Sequence, residues 1–134
     1  MSTQIYIASP PTVEPVTVDE FKLFARIDTT EEDSVISLML VAVREAAEKY
    51  LGRALLNQTI YYTLDKWPGR SVELPYPPLV SVDGVYLLKE DGSYTEYSAE
   101  NYFVVTEGIP GSIQLKPGSV TPSNTDVDFA GYQI

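Results

Sequence analysis

Residues 31–51 read EEDSVISLMLVAVREAAEKYL, and Gly52 follows. Acids open the stretch and Lys49 stands near its end, the order of charge that a helix dipole favours. Glycine takes the left-handed turn that stops a helix. The pattern predicts a helix over 31–51, with Thr30 as its N-cap and a length of about 30 Å. Its apolar residues form two adjacent stripes. Ile36, Met39, Leu40, Val43, Ala47 and Tyr50 make the first, and Val35, Leu38, Ala42 and Ala46 the second. A surface helix buries one face, so two stripes need two coverings. Two readings stand: a central helix wrapped by the rest of the chain, or a helix whose second stripe meets another subunit. On the second reading Val35, Leu38, Ala42 and Ala46 are the candidate subunit interface. Arg44–Glu48 and Glu45–Lys49, four apart, support the helix as ion pairs.

Upstream, Thr17 and Glu20 have the spacing of a capping box, which predicts a helix over 18–27. Val18, Phe21, Phe24 or Ala25, and Ile27 trace its apolar side, and Asp28-Thr29-Thr30 separates the two helices. Residues 1–16 contain Pro10, Pro11 and Pro15, which disfavour a helix and predict an extended arm. Ile5, Tyr6, Ile7 and Val13 offer anchor points for that arm.

Past residue 56 the text turns to Tyr, Val, Pro and Gly, with eight of the ten tyrosines. Thr59–Leu64 alternates as a strand does. Val72–Leu74 reads as a short edge. Val80–Leu87 reads as a longer strand interrupted at Asp83-Gly84, either a tight hairpin or, the favoured reading, a bulge. Lys89–Ser93 is the clearer hairpin signal. Further strands are expected at 94–97, 102–105, 112–116 and 127–132, with an exposed loop at 117–126. The fold class is therefore α+β in one domain, 1–134: an arm (1–16), a helical hairpin (17–56) and a mainly antiparallel region of short strands (57–134).

The chain has no cysteine and no histidine. That removes disulfides, thiol nucleophiles, Cys/His zinc sites and histidine-based triads. A net charge of −10 opposes tight binding to nucleic acid, whose phosphates must be neutralised. No apolar run approaches the roughly 18 residues a membrane span needs, and residues 1–15 lack the basic start of a secretory signal, so an intracellular, soluble product is expected.

No constellation reads as an active site. Asp28, Glu31, Glu32 and Asp33 form the densest acidic cluster, but they lack the glycine and the alternating ligands of a calcium loop and suit helix caps better. Asp126 and Asp128 alternate on one strand. The turns at 67–70 and 108–111 lack the lysine and serine of a phosphate loop. Neither a cofactor nor a metal is expected. Trp67, beside Pro68, and Tyr76, within Pro75-Tyr76-Pro77-Pro78, are candidate partner contacts. A core-packed turn at Trp67 and a rigid corner before the next strand at 75–78 compete with that role, and the corner is favoured because two β runs flank it.

The order of these pieces resembles the head–tail connector (adaptor, head completion) family of tailed bacteriophages. The resemblance is carried by PVTVDEFKLFARID (15–28), EEDSVISLMLVAVREAAEKYLGRAL (31–55) and ELPYPPLVSVDGV (73–85). Asn101–Val104, Gly111–Ile113 and Val127–Tyr132 continue it, so that it spans about 13–132. It implies a structural virion protein, made in the bacterial cytoplasm and placed at the head–tail interface. Such proteins form a ring, typically of about twelve copies, between the portal and a stopper or tail protein. DNA passes through the ring without specific binding, and no membrane or catalytic residue is involved. Family members often continue into further helices that dock on the portal. The sequence ends at Ile134, which leaves two readings, a short member or a trimmed one.

Two rival readings compete with this one. A monomeric α+β adaptor module would hold its partner through Trp67 and residues 75–78. A carboxylate hydrolase would need a pocket around Asp28 or Glu32 with a raised pKa.

Overall fold

A computed structural model describes residues 3–122 and the backbone of 127–133. Two helices, α1 (Val18–Ala25) and α2 (Asp33–Leu51), stand beside nine strands. These are β1 (Thr3–Ser9), β2 (Thr59–Leu64), β3 (Ser71–Glu73), β4 (Ser81–Val82), β5 (Tyr86–Leu88), β6 (Tyr94–Glu96), β7 (Tyr102–Val105), β8 (Ser112–Leu115) and β9 (Val127–Gln133). All described pairings are antiparallel. The larger sheet runs β1-β2-β9-β5-β6, with β4 also on β9, and the smaller runs β3-β8-β7. The arm expected at 1–16 thus holds an edge strand.

The capping box forms as expected. The Glu20 amide donates to Thr17 Oγ1 at 3.2 Å, and the Thr17 amide donates to the Glu20 carboxylate at 2.8 Å. That carboxylate is held below its ordinary range first by the Thr17 backbone amide, then by the Thr17 hydroxyl. Helix α1 stops two residues early, because Arg26 takes the left-handed conformation (φ 58°) and the Ile27 amide bonds back to the Lys22 carbonyl at 3.0 Å. Helix α2 begins at Asp33, not Glu31. Thr30 contributes only its carbonyl, to the Asp33 amide, and Glu32 occupies the N-cap without a side-chain bond. Gly52, at φ 63°, ends α2 as its sequence predicts.

The core lies in the β region. Ile60 and Leu64 from the larger sheet meet Val72, Ile113 and Leu115 from the smaller one, with Leu74, Leu79, Val85 and Tyr102 around them. Each such side chain contributes about 1.5–3 kcal/mol by leaving water. At Gly111 the smaller sheet passes so close to Leu79 that a Cβ would overlap its side chain. The Gly111 carbonyl accepts from Leu74 at 2.9 Å, fixing the end of β3 before the prolines. Residues 75–78 form the corner between β3 and β4, as the flanking strands suggest.

The break at Asp83-Gly84 is neither hairpin nor bulge. Both β4 and β5 pair with β9, and three residues intervene on each strand between Val82↔Tyr132 and Tyr86↔Asp128. No extra residue is inserted, so the pairing lapses and resumes in one register. The hairpin at 89–93 is present, with the Lys89 amide bonded to the Ser93 carbonyl at 2.8 Å. Of the expected loop, residues 117–122 are described; Ser123–Asp126 lie outside the described residues.

Candidate functional site

No helical residue belongs to the core cluster of the β region. On α2 only Ile36, Arg44 and Glu48 are buried. At 100° per residue these lie on one side, and Val35, Leu38, Ala42 and Ala46 lie on the opposite one. All four are exposed, Leu38 at 72%. The four candidate interface residues therefore share one uncovered face, and α2 is not the wrapped central helix of the first reading. The face is wider than the second stripe: Met39, Val43 and Tyr50 of the first stripe are exposed too. On helix α1, Leu23 and Phe24 are exposed too, Phe24 at 87%. A row of exposed apolar side chains along one helix marks an interaction surface.

The hairpin is tied to the rest of the chain by polar groups. Arg44, 4% exposed, donates from Nε to Glu14 and from Nη1 to Glu48, both at 2.8 Å. The other oxygen of Glu48 accepts from the Leu55 amide at 2.9 Å and from Gln58 at 3.2 Å. One residue pair on α2 thereby fastens the N-terminal arm, the helix and the lead-in to β2. The hydrogen bond to Glu14 raises the Arg44 pKa above its ordinary value, against the opposing effect of burial. At the other end of α2, Lys22 and Asp33 join the helices through a 2.7 Å ion pair. That pair draws one member out of the acidic cluster at 28–33. Among the described residues no group of acids could hold a metal ion. Asp126 lies outside the described residues, as does the side chain of Asp128.

Trp67, a candidate partner contact, lies inside the chain. It is 7% exposed and packs in the core, with its ring 6.0 Å from that of Tyr97. The proline that follows it turns the chain while the indole stays inside. Tyr76 is half-buried in a left-handed conformation (φ 58°). It lines a cleft of about 300 Å³ between α2 and β1, together with Ile5, Ile7, Glu45 and Lys49. Sequence reasoning had no route to the Glu14–Arg44–Glu48–Gln58 cluster as a unit, because its members come from three segments. The signal present was a charged pair on the side of α2 opposite its second apolar stripe.

Against known proteins, the description "Phage gp6-like head-tail connector protein" matches residues 15–114. No curated protein matches the sequence. Among solved structures, a chain from "Neck of empty GTA particle computed with C6 symmetry" superposes with a TM-score of 0.73 at 24% identity, covering 98% of this chain and 71% of that one. A chain from "Virion of native gene transfer agent (GTA) particle" gives 0.69 at 22% identity, with the same coverage. At these identities the likeness is one of fold.

Proposed function

The chain belongs to the family of phage gp6-like head-tail connector proteins, structural components of the virion at the head–tail interface, and from that premise we propose that it assembles into a ring. In this reading the ring, of about twelve copies, joins the portal to a stopper or tail-completion protein and extends the channel through which DNA passes. The uncovered apolar hairpin carries the proposal: its helices contribute nothing to the β core cluster and leave a row of apolar side chains exposed. Val35, Leu38, Ala42 and Ala46 form the centre of the subunit contact. A chain of this fold sits in the neck of an empty GTA particle computed with C6 symmetry, and a ring of twelve is compatible with that symmetry. A net charge of −10 suits a wall that DNA must slide past without sticking. Such a role asks for no catalytic group.

The test is the variant carrying Leu38→Asp and Ala42→Asp. Both positions face solvent in the single chain, so the fold should be kept within about 0.5 kcal/mol per site. Assembly, read by sedimentation or native mass spectrometry, should be lost. Unfolding of the variant would mean that the stripe is core and would end the interface reading. An assembled, folded variant would place the subunit contact elsewhere.

A further inference from the structure

A closed ring of more than two copies needs two different surfaces on each copy, because neighbours meet head to tail. The larger sheet ends in two unlike edges, β1 and β6. Edge strands normally carry charge, proline or bulges that discourage further pairing. β1 carries no charged residue in a chain of net charge −10, and its one irregularity lies at the Ile7–Ser9 end. Among the described residues no strand pairs with its outer side.

The register relates the two edges. Gln4 pairs with Thr63, Thr63 with Asp128, Asp128 with Tyr86 and Tyr86 with Glu96. Gln4 and Glu96 thus end one row across the sheet, on the same face. Each strand on this path is antiparallel to the next, so β1 and β6 run in the same direction. In a ring whose strands stand along its axis, copies related without rise bring the two ends of a row level with each other. We infer that β6 of one copy pairs in parallel with β1 of the next, Glu96 beside Gln4, joining the larger sheets into a continuous belt. The helix α2 flanks β1 across the cleft at Ile5 and Ile7, so this junction is continuous with the uncovered helical face. The inference rests on the ring reading and names both halves of its contact.

The chain has no cysteine, so introduced thiols report alone. Gln4→Cys, Glu96→Cys and the double variant are made in the full chain and treated with a short bismaleimide. Native mass spectrometry reads assembly on the same samples before cross-linking. Head-to-tail pairing predicts a ladder of trimers and longer species from the double variant and monomers from each single one. An assembled double variant without a ladder, or dimers from Gln4→Cys alone, would overturn the edge pairing and leave the ring reading standing. Absence of both ladder and assembly would overturn the two together.

Discussion

Replacing Arg44 by methionine keeps much of the side-chain volume and removes the charge that holds Glu14 and Glu48. In the native chain Glu48, its side chain 5% exposed, accepts from Arg44, Leu55 and Gln58. Without Arg44 one carboxylate oxygen keeps two donors, and the other is left buried without its partner. Stranding a buried charge in this way costs about 3–5 kcal/mol. The Glu14 carboxylate is 20% exposed and can be taken up by water, so the lower end, about 3 kcal/mol, is expected. That is a large share of the roughly 5–15 kcal/mol that holds a domain together. The assay is urea denaturation followed by far-ultraviolet circular dichroism. It is applied to wild type, Arg44→Met, Glu48→Gln and the double variant. Glutamine keeps the acceptor toward Leu55 and loses the charge, so the double variant should recover about half of the cost of Arg44→Met. The native pair should also lose little stability in added salt, because screening acts mainly on exposed charges. A cost below about 1 kcal/mol for Arg44→Met, or a double variant that equals the sum of the singles, would refute the claim that this pair anchors the hairpin.

Three further outcomes follow from the packing. Thr17→Ala removes the cap of α1 and should cost about 1 kcal/mol, with Thr17→Ser restoring most of it; thermal melts decide. Gly111→Ala forces a Cβ onto Leu79 just before β8 and should cost about 1–3 kcal/mol in the urea midpoint. Burial, aided by the charge of Glu96, raises the Tyr102 phenol above its ordinary value of 10.0. The folded state therefore holds that proton more tightly than the unfolded one. Its stabilisation is complete below the ordinary value and is lost as pH rises through the folded value. Tyr102→Phe should flatten the alkaline fall in stability between neutral pH and about pH 11, read as urea midpoints across that range.

The elements that sequence placed well are those fixed by near neighbours. Thr17 and Glu20 specify one helix start within a single turn, Gly52 specifies one stop, and the alternation at 59–64 coincides with β2. The misplacements have non-local causes. Thr30 has the right chemistry for a cap, but the chain enters α2 through a turn in which its carbonyl is the group used. Asp83-Gly84 reads as an inserted bend, yet β9, some 40 residues on, pairs on both sides of it without a shift. Apolar periodicity says that a face leaves water without saying what covers it, so the two stripes of α2 stayed open between core and subunit contact. Trp67 posed the same question, and in the single chain it packs in the core near Tyr97.

The way the hairpin is held bears on what it is for. A helix packed by apolar contacts alone can slide or roll, since those contacts have no direction. Here the inner side of α2 is fixed by directional bonds from Arg44 and Glu48 to the arm and to the lead-in of β2, while most of its apolar side chains point away from the body. Such an arrangement spends little apolar area inside the chain and sets the angle of the outer face. In the proposed ring, a face that meets an identical neighbour at a fixed rotation, copy after copy, benefits from that control, because a small angular error per contact accumulates around the circle. The buried ion pair is thus better explained by orientation than by stability, where such pairs gain little over apolar packing. The same logic covers the N-terminal arm: Glu14 ties to α2 the segment that carries β1, so the helical face and the open sheet edge turn as one piece.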